Sequence, residues 1–181
     1  YLRASVEILC REYGPVGGFW FDGNWSRPAS DWQEGRLYKT IRKHQPDAII
    51  VNNTGLLARG ATGHPEIDCL TYEQGLPSAP EQTEWPKYLA GEMCETMNKH
   101  WGWSRNDFHH ISVPDMIRNY SRCRKVGINY LLNVGPEPSG KLPALEKAML
   151  KQFGDWFDCH GKPLTTARPA GISCDHESVF L

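Results

Sequence analysis

Short apolar runs that alternate with helix-like segments constrain the fold of this chain more than any other feature. Such runs lie at residues 16–22, 48–52 and 128–134, and patterns with helical spacing come before, between and after them. Strands that are apolar on both faces and are separated by helices predict a parallel sheet, which is either a barrel or an open doubly wound sheet.

The residues at the ends of these runs favour the barrel. No glycine-rich motif for binding a nucleotide follows any of the runs. Polar positions instead stand at the carboxyl ends of the predicted strands, where barrel enzymes build their active sites: Asp22, Asn52 to Asn53, and Asn133. The sequence therefore predicts an α/β fold of the (β/α)8, TIM-like type.

Length limits how much of a barrel this chain holds. A (β/α)8 barrel takes about 250 residues and eight strands, whereas the chain has 181 residues and begins with a helix rather than a strand. We therefore expect only the later strands and helices, with residues 1–170 forming a partial barrel that is the catalytic domain. Residues 171–181 are expected to be a tail, to which no fold is assigned.

Capping residues predict where the helices begin and end. Ser30 is expected to cap a helix that runs to about His44, and Ser112 to cap a later helix. Gly161 is expected to end the last helix, whose apolar stripe includes Leu145. These assignments rest on spacing within single segments of the chain.

Composition excludes several classes of partner. A formal net charge of −1 with 23% charged residues leaves no electrostatic footprint for nucleic acid or an anionic membrane. No apolar run approaches the roughly 20 residues of a membrane span and no signal segment is visible, so localisation stays open between cytoplasmic and secreted. His and Cys spacings match no metal site, and the six widely spaced cysteines favour buried free thiols over a disulfide framework.

The first apolar run ends in a carboxylate. Strand alternation places Trp20 and Asp22 on one face and Phe19 and Phe21 on the other. Indole faces pack against the C–H surfaces of sugar rings, and a sugar-cleaving enzyme usually presents a catalytic carboxylate at the end of a strand. The alternative is that Asp22 only caps the loop after the strand.

Three motifs, taken in order, resemble the α-L-fucosidases of glycoside hydrolase family 29. They are GGFWFDG at residues 17–23, GEMCETMN at 91–98 followed by WGW at 101–103, and YLLNVGP at 130–136. The resemblance covers residues 1 to about 169. It implies a retaining exo-glycosidase that releases terminal α-L-fucose and needs neither a metal nor an organic cofactor.

The resemblance also implies which carboxyl groups carry the chemistry. Asp22 matches the nucleophile that forms a glycosyl-enzyme intermediate. Glu73 is the first choice for the acid/base residue, because it lies in a Thr-x-Glu segment after a short strand and beside Tyr72, which favours a raised pKa. Glu66 is the alternative acid/base residue.

Further residues are implied to bind the sugar. Trp20 would shape the pocket beside Asp22, and Trp101 matches an aromatic residue that packs on the fucose methyl group in relatives. Glu92 matches a family segment and is expected to orient the site or bind substrate. Relatives often carry an arginine near the position of Thr54, so Arg59 is the candidate to replace that contact.

The predicted partner is a fucosylated glycan or glycoside. An incomplete barrel leaves sheet edges exposed, which predicts pairing either with a complementing amino-terminal half or with a second copy. Two alternatives remain open from sequence. One is a carbohydrate-binding module without catalysis, in which the tryptophans supply stacking surfaces. The other is a purely structural fragment of a barrel.

Overall fold

The computed structural model describes residues 1–53, 60–61, 63–82 and 87–166, and the backbone of residues 173–174 and 179–180. The chain divides into two compact units, which are Tyr1–Glu73 with Pro80–Gly91, and Gln74–Ala79 with Glu92–Leu181. Within the described residues, no helix has the length and apolar character needed to cross a membrane.

The first unit contains three parallel strands and two helices. In chain order these are α1 (Leu2–Glu12), β1 (Gly18–Phe21), α2 (Glu34–His44), β2 (Ile49–Asn52) and β3 (Cys69–Thr71). β1 pairs with β2 in parallel, so Phe21 lies opposite Asn52 at the carboxyl ends of both strands. β2 pairs in parallel with β3, where Val51 lies opposite Cys69. The predicted strand–helix alternation is confirmed in this unit.

The hydrophobic core of the first unit lies between the sheet and the two helices. Its buried residues are Val6, Cys10, Leu37, Tyr38, Ile41, Ala48, Ile50 and Ile67. Phe19 and Phe21 pack against this core, whereas Trp20 is 42% exposed. Successive strand residues point to opposite faces of a sheet. Asp22 is therefore on the same face as Trp20, and the two phenylalanines are on the face that packs on the core.

The second unit contains a parallel strand pair and the remaining helices. They are β4 (Ala90–Thr96, whose first two residues belong to the first unit), α3 (Val113–Lys125), β5 (Asn129–Asn133), α4 (Ala144–Trp156) and α5 (Lys162–Thr166). Thr96 of β4 lies opposite Asn133 of β5. The predicted cap of α3 is confirmed, because Ser112 Oγ accepts a hydrogen bond from the backbone N–H of Asp115 at 3.2 Å. In the predicted tail, the described backbone forms two antiparallel strands, β6 (Ser173–Cys174) and β7 (Val179–Phe180).

The prediction that Ser30 caps α2 was wrong, because the helix begins at Glu34 with Gln33 as its N-cap. Gln33 adopts a left-handed backbone conformation with φ 51°, which a propensity argument does not anticipate for a residue other than glycine. Its backbone N–H donates to Asp31 Oδ1 at 2.9 Å, and the Trp32 indole N–H donates to the Arg27 carbonyl oxygen at 3.2 Å. With these contacts, the loop extends to Gln33 and the first helical turn begins at Glu34.

The prediction that Gly161 ends the last helix was also wrong. The chain continues from α4 through a π-helical turn, Phe157–Gly161, directly into α5. Gly161 is buried, and a Cβ atom there would lie 2.6 Å from Phe157 Cδ2, so this glycine permits close packing instead of ending a helix. The predicted apolar stripe of α4 is only partly buried, since Leu145 is 52% exposed.

The cysteines largely follow the sequence prediction. In the described residues, four free thiols are buried, those of Cys10, Cys69, Cys94 and Cys123. The free thiol of Cys159 is exposed. Burial raises the pKa of the Cys123 thiol to about 12. A thiol with that pKa stays protonated and unreactive at neutral pH.

The loop between β4 and α3 is organised around Asp107, whose side chain is only 2% exposed. Its Oδ2 accepts a hydrogen bond from the backbone N–H of His100 at 2.9 Å and lies 2.8 Å from His100 Nδ1. Its Oδ1 accepts from the backbone N–H of His109 at 3.1 Å. Burial acts to raise the pKa of Asp107, but these donors outweigh it and lower the pKa to about 2.

We expect Asp107→Asn to lower the free energy of unfolding at neutral pH, because an amide lacks the charge that these donors stabilise. The folded pKa of Asp107 lies below its ordinary value of 3.8. The stabilisation is therefore complete above that value and is lost as the pH falls towards 2. Urea unfolding should show a smaller difference between parent and variant at about pH 3 than at neutral pH. An equal difference at both pH values would contradict this account, and exposed Asp155→Asn is the control.

Candidate active site

Asp22 lies immediately after the carboxyl end of β1, in a turn that fixes one of its oxygens. Gly23 has φ 91°, a conformation that glycine adopts without strain. The backbone N–H of Gly23 and the indole N–H of Trp25 each donate to Asp22 Oδ1 at 2.8 Å. Trp25 reaches Asp22 because residues Asn24–Ser26 form a 3-10 turn. Asp22 Oδ1 is therefore held, and the carboxylate itself is exposed.

Glu73 lies two residues beyond the carboxyl end of β3 and is half-buried. The preceding Tyr72 is buried, with 6% exposure, and anchors the end of the segment. The following Gln74 has φ 46°, an uncommon conformation for a residue with a side chain. The chain therefore turns sharply directly after Glu73.

Asn53, directly after the carboxyl end of β2, contacts both of these carboxylates. Its Nδ2 donates to Glu73 Oε2 at 2.6 Å and to Asp22 Oδ1 at 3.3 Å. Because one nitrogen makes both contacts, the two accepting oxygens are no farther apart than about 6 Å, which is below the range of about 6.5–9.5 Å between the carboxyl groups of inverting glycosidases. Asn53 is itself only 2% exposed, so the bridge is anchored in the fold.

The order of the parallel strands explains why these three residues meet. β2 lies between β1 and β3, and the ends of parallel strands share one edge of the sheet. The oxygens that accept these hydrogen bonds are Asp22 Oδ1 and Glu73 Oε2. Each carboxylate is thus held through one of its two oxygens.

Glu66, the alternative acid/base residue, is not brought to Asp22. It precedes β3, at the amino end of that strand, and its Oε2 accepts from Arg42 Nε at 2.9 Å. Arg42 also pairs with Asp68 Oδ2 at 2.6 Å. Because Arg42 lies in the last turn of α2, this ion-pair cluster connects that helix end to the start of β3.

A cavity of about 820 Å³ lies next to the turn that carries Trp25. Its lining includes Trp25, Trp32, Asp31, Glu34, Arg36 and His64. The volume is in the range of about 300–1,000 Å³ that is typical of small-molecule sites. Trp25 both lines this space and donates to Asp22, so the space lies beside the turn that holds the carboxylate.

A family model described as alpha-L-fucosidase matches residues 2–162 of this chain. The chain belongs to the α-L-fucosidase family.

Solved α-L-fucosidases share this fold. Isoenzyme 1 from Paenibacillus thiaminolyticus is 29% identical, with a TM-score of 0.72, and the match covers 97% of this chain and 41% of that one. The enzyme from Vibrio sp. strain EJY3 is 26% identical with a TM-score of 0.68, over 88% of this chain and 27% of that one. The predicted fold class, part of a (β/α) barrel with parallel strands, is confirmed.

Curated relatives point to the same family. The tissue alpha-L-fucosidase of Rattus norvegicus is 24% identical over 168 residues, which are 90% of this chain and 34% of that protein. The alpha-L-fucosidase of Branchiostoma floridae is 22% identical over 174 residues, which are 92% of this chain and 36% of that protein. This chain therefore spans roughly a third of the length of these curated relatives.

The remaining residues that the fucosidase resemblance singled out occupy different settings. Trp20 presents an exposed indole on β1, as described above. Glu92 is buried within β4, with 7% exposure, and Trp101 is 40% exposed after β4. Asn133 Nδ2 donates to the Trp101 carbonyl oxygen at 2.8 Å and to Thr96 Oγ1 at 3.0 Å. Arg59 lies outside the described residues.

Two contacts of this candidate site were missed from sequence. Asn53 was recognised only as a polar residue at a strand end, although it bridges the two carboxylates. Trp25 was considered only as a stacking surface, although its N–H donates to Asp22. The three-residue spacing of Asp22 and Trp25 was a usable signal, because a 3-10 turn aligns residues at that spacing.

Proposed function

We propose that this chain carries the catalytic centre of a retaining exo-α-L-fucosidase, with Asp22 as nucleophile and Glu73 as acid/base. The observation that carries the proposal is the Asn53 bridge, which keeps the two carboxylate oxygens within about 6 Å of each other. Carboxyl groups about 5–5.5 Å apart leave no room for a water between nucleophile and sugar, so one of them attacks directly.

The reaction then has two displacement steps. Asp22 Oδ2 attacks the anomeric carbon while the carboxylic acid of Glu73 gives its proton to the departing oxygen, which forms a glycosyl-enzyme ester and releases the aglycone. Glu73, now a carboxylate, takes a proton from a water that attacks the same carbon. The ester bond breaks, Asp22 is regenerated, and fucose leaves with its configuration retained.

The residues around the two carboxylates orient them. Gly23 and Trp25 hold Asp22 Oδ1, so the carboxylate can direct Oδ2 at the sugar without reorganising during the reaction. The shared donor of Asn53 holds Glu73 beside it. These contacts favour one geometry for attack and proton transfer, and such prior orientation of the reacting groups lowers the barrier.

An α-linked fucoside is the proposed substrate class, with a fucosylated glycan or glycoside as the partner. A variant of the related Lactobacillus casei enzyme has been solved with 4-nitrophenyl-α-L-fucopyranoside and with Fucα(1,6)GlcNAc. In this chain, Trp20 and Trp101 each expose an indole, and Glu92 offers a buried carboxylate. Burial of the C6 methyl group against an indole would contribute about 1 kcal/mol to binding of a 6-deoxy sugar.

The test is hydrolysis of 4-nitrophenyl α-L-fucopyranoside by the 181-residue chain, followed by proton NMR. We expect α-L-fucose to form first and to mutarotate afterwards, with no hydrolysis of the β-L-fucoside. First appearance of the β anomer would contradict the retaining mechanism. A chain that unfolds cooperatively and binds fucose without turnover would support the carbohydrate-binding alternative, and one that binds no fucose would support the structural alternative.

Asn53→Ala should lower kcat for the aryl fucoside by about 10- to 100-fold with a much smaller change in KM, because the two carboxylates lose their common donor and their orientation. Steady-state kinetics would measure this, with Gln152→Ala on α4 as the control for loss of an amide outside the site. Because Asn53 is buried, thermal unfolding of Asn53→Ala checks that the variant is folded under the assay conditions. Unchanged kcat in Asn53→Ala would mean that the bridge does not position the reacting groups.

A further inference from the structure

Glu34, the first residue of α2, joins two parts of the site through one oxygen. Its Oε1 accepts from Asn24 Nδ2 at 3.0 Å and from Asn52 Nδ2 at 3.1 Å. Asn24 begins the turn after β1, and Asn52 is the last residue of β2. The Glu34 carboxylate therefore connects the two segments that support Asp22.

Each segment leads directly to a contact with a proposed catalytic group. The turn that starts at Asn24 carries Trp25, whose indole N–H donates to Asp22 Oδ1 at 2.8 Å. Asn52 is followed in the chain by Asn53, which bridges Asp22 and Glu73. A shift of the Glu34 side chain would therefore be passed to Asp22 along both segments.

One residue of the hydrophobic core also contacts the hydrogen-bond network of Glu34. Asn52 Nδ2 also donates to the hydroxyl oxygen of Tyr38 at 2.7 Å, and Tyr38 is fully buried. Burial raises the pKa of Tyr38 to about 12, so its hydroxyl is neutral at any working pH. Asn52 is therefore bound both to Glu34 and to a buried core residue, and its position is coupled to the core. Among the described residues, the Oδ1 atoms of Asn24 and Asn52 are buried without a hydrogen-bond partner, so Glu34 and Tyr38 supply the polar contacts of these two side chains through Nδ2.

We propose that Glu34 is a positioning residue for catalysis, acting through Trp25 on Asp22 and through Asn53 on both carboxylates. The proposal rests on the proposed function for its catalytic consequence, but the coupling of Glu34 to Trp25 exists in the folded chain without substrate. What the network needs from Glu34 is an oxygen that accepts two hydrogen bonds. A negative charge is not required for that task.

Two substitutions separate the acceptor from the charge. Glu34→Gln keeps an oxygen that can accept from both asparagines and removes the charge, whereas Glu34→Ala removes both. A carboxylate in the first helical turn also stabilises a helix through its dipole, so a merely structural role would respond to both variants. Asp115→Ala, which removes an acid from the first turn of α3, is the matched control for that effect.

The first readout needs no turnover. In proton–nitrogen NMR spectra of the chain, the Trp25 indole N–H signal is assigned by its absence in Trp25→Phe. We expect Glu34→Ala to move this signal and to speed its hydrogen exchange at least about 10-fold, because the hydrogen bond to Asp22 opens more often. Glu34→Gln and Asp115→Ala should leave both properties close to those of the parent. An unmoved signal with unchanged exchange in Glu34→Ala would overturn the proposal.

The second readout separates positioning from substrate contact, because Glu34 also lines the cavity beside Trp25. We expect Glu34→Ala to lower kcat for an aryl α-L-fucoside by at least about 10-fold while KM changes less than about 2-fold, and Glu34→Gln to restore most of kcat. A raised KM with unchanged kcat would overturn the proposal in favour of direct substrate binding. If the parent chain shows no turnover, the proposed function fails, while the Trp25 signal still decides the role of Glu34.

Discussion

Asp22→Asn is expected to reduce turnover of an aryl α-L-fucoside by at least about 10³-fold, because an amide cannot form the glycosyl-enzyme ester. The fold should survive the change. The amide oxygen of the new side chain can still accept the hydrogen bonds from Gly23 and Trp25 that Asp22 Oδ1 accepts now. Loss of turnover would then result from loss of the nucleophile and not from unfolding.

The measurement compares the parent chain, Asp22→Asn and Asp47→Asn in the same assay, with thermal unfolding of each. Asp47 is an exposed acid in the turn before β2, so its replacement controls for loss of one carboxylate. Full activity in Asp22→Asn would remove Asp22 from the mechanism. That result would support the alternative interpretation of the sequence, in which Asp22 only caps the loop after β1.

Glu73→Gly should lower hydrolysis of natural fucosides by about 10²- to 10⁴-fold, because the departing oxygen is no longer protonated. An aryl fucoside with an acidic leaving group needs little protonation, so its first step should lose less. Azide added to the assay should restore turnover, because this anion attacks the glycosyl-enzyme without needing a general base. The product would be an α-L-fucosyl azide with retained configuration.

Glu66→Gly is the control for this prediction. It breaks the ion pair with Arg42 at the other end of β3 and should leave the rate of hydrolysis near that of the parent. If azide restores turnover in Glu66→Gly but not in Glu73→Gly, then Glu66 and not Glu73 is the acid/base residue. The product anomer and the identity of the azide adduct can be read from the same NMR samples.

Local sequence signals predicted most of the secondary structure. The start of α3 follows from the capping side chain of Ser112, which acts within a few residues. The strand runs were also located, although each observed strand is shorter than its apolar run. Such features depend on near neighbours in the chain, so one sequence is enough to find them.

The errors share a physical cause. Gln33 takes a left-handed conformation that residue propensity disfavours, and Gly161 lies inside a continuous helical segment because Phe157 packs where a side chain would be. In both cases, contacts formed after folding outweigh the local preference of the residue. Glycine and serine signals predict helix ends only where packing does not compete.

The sequence by itself determined the parallel strands, the position of Asp22 at a strand end and the family resemblance, because these depend on periodicity and on contiguous motifs. Only the tertiary structure decided that Asn53 links Asp22 to Glu73, that Glu66 lies at the opposite end of β3, and that Glu34 supports the site. The physical reason is that parallel pairing brings together strand ends that are far apart in the chain. Their side-chain hydrogen bonds depend on that register and leave no periodic trace in the sequence.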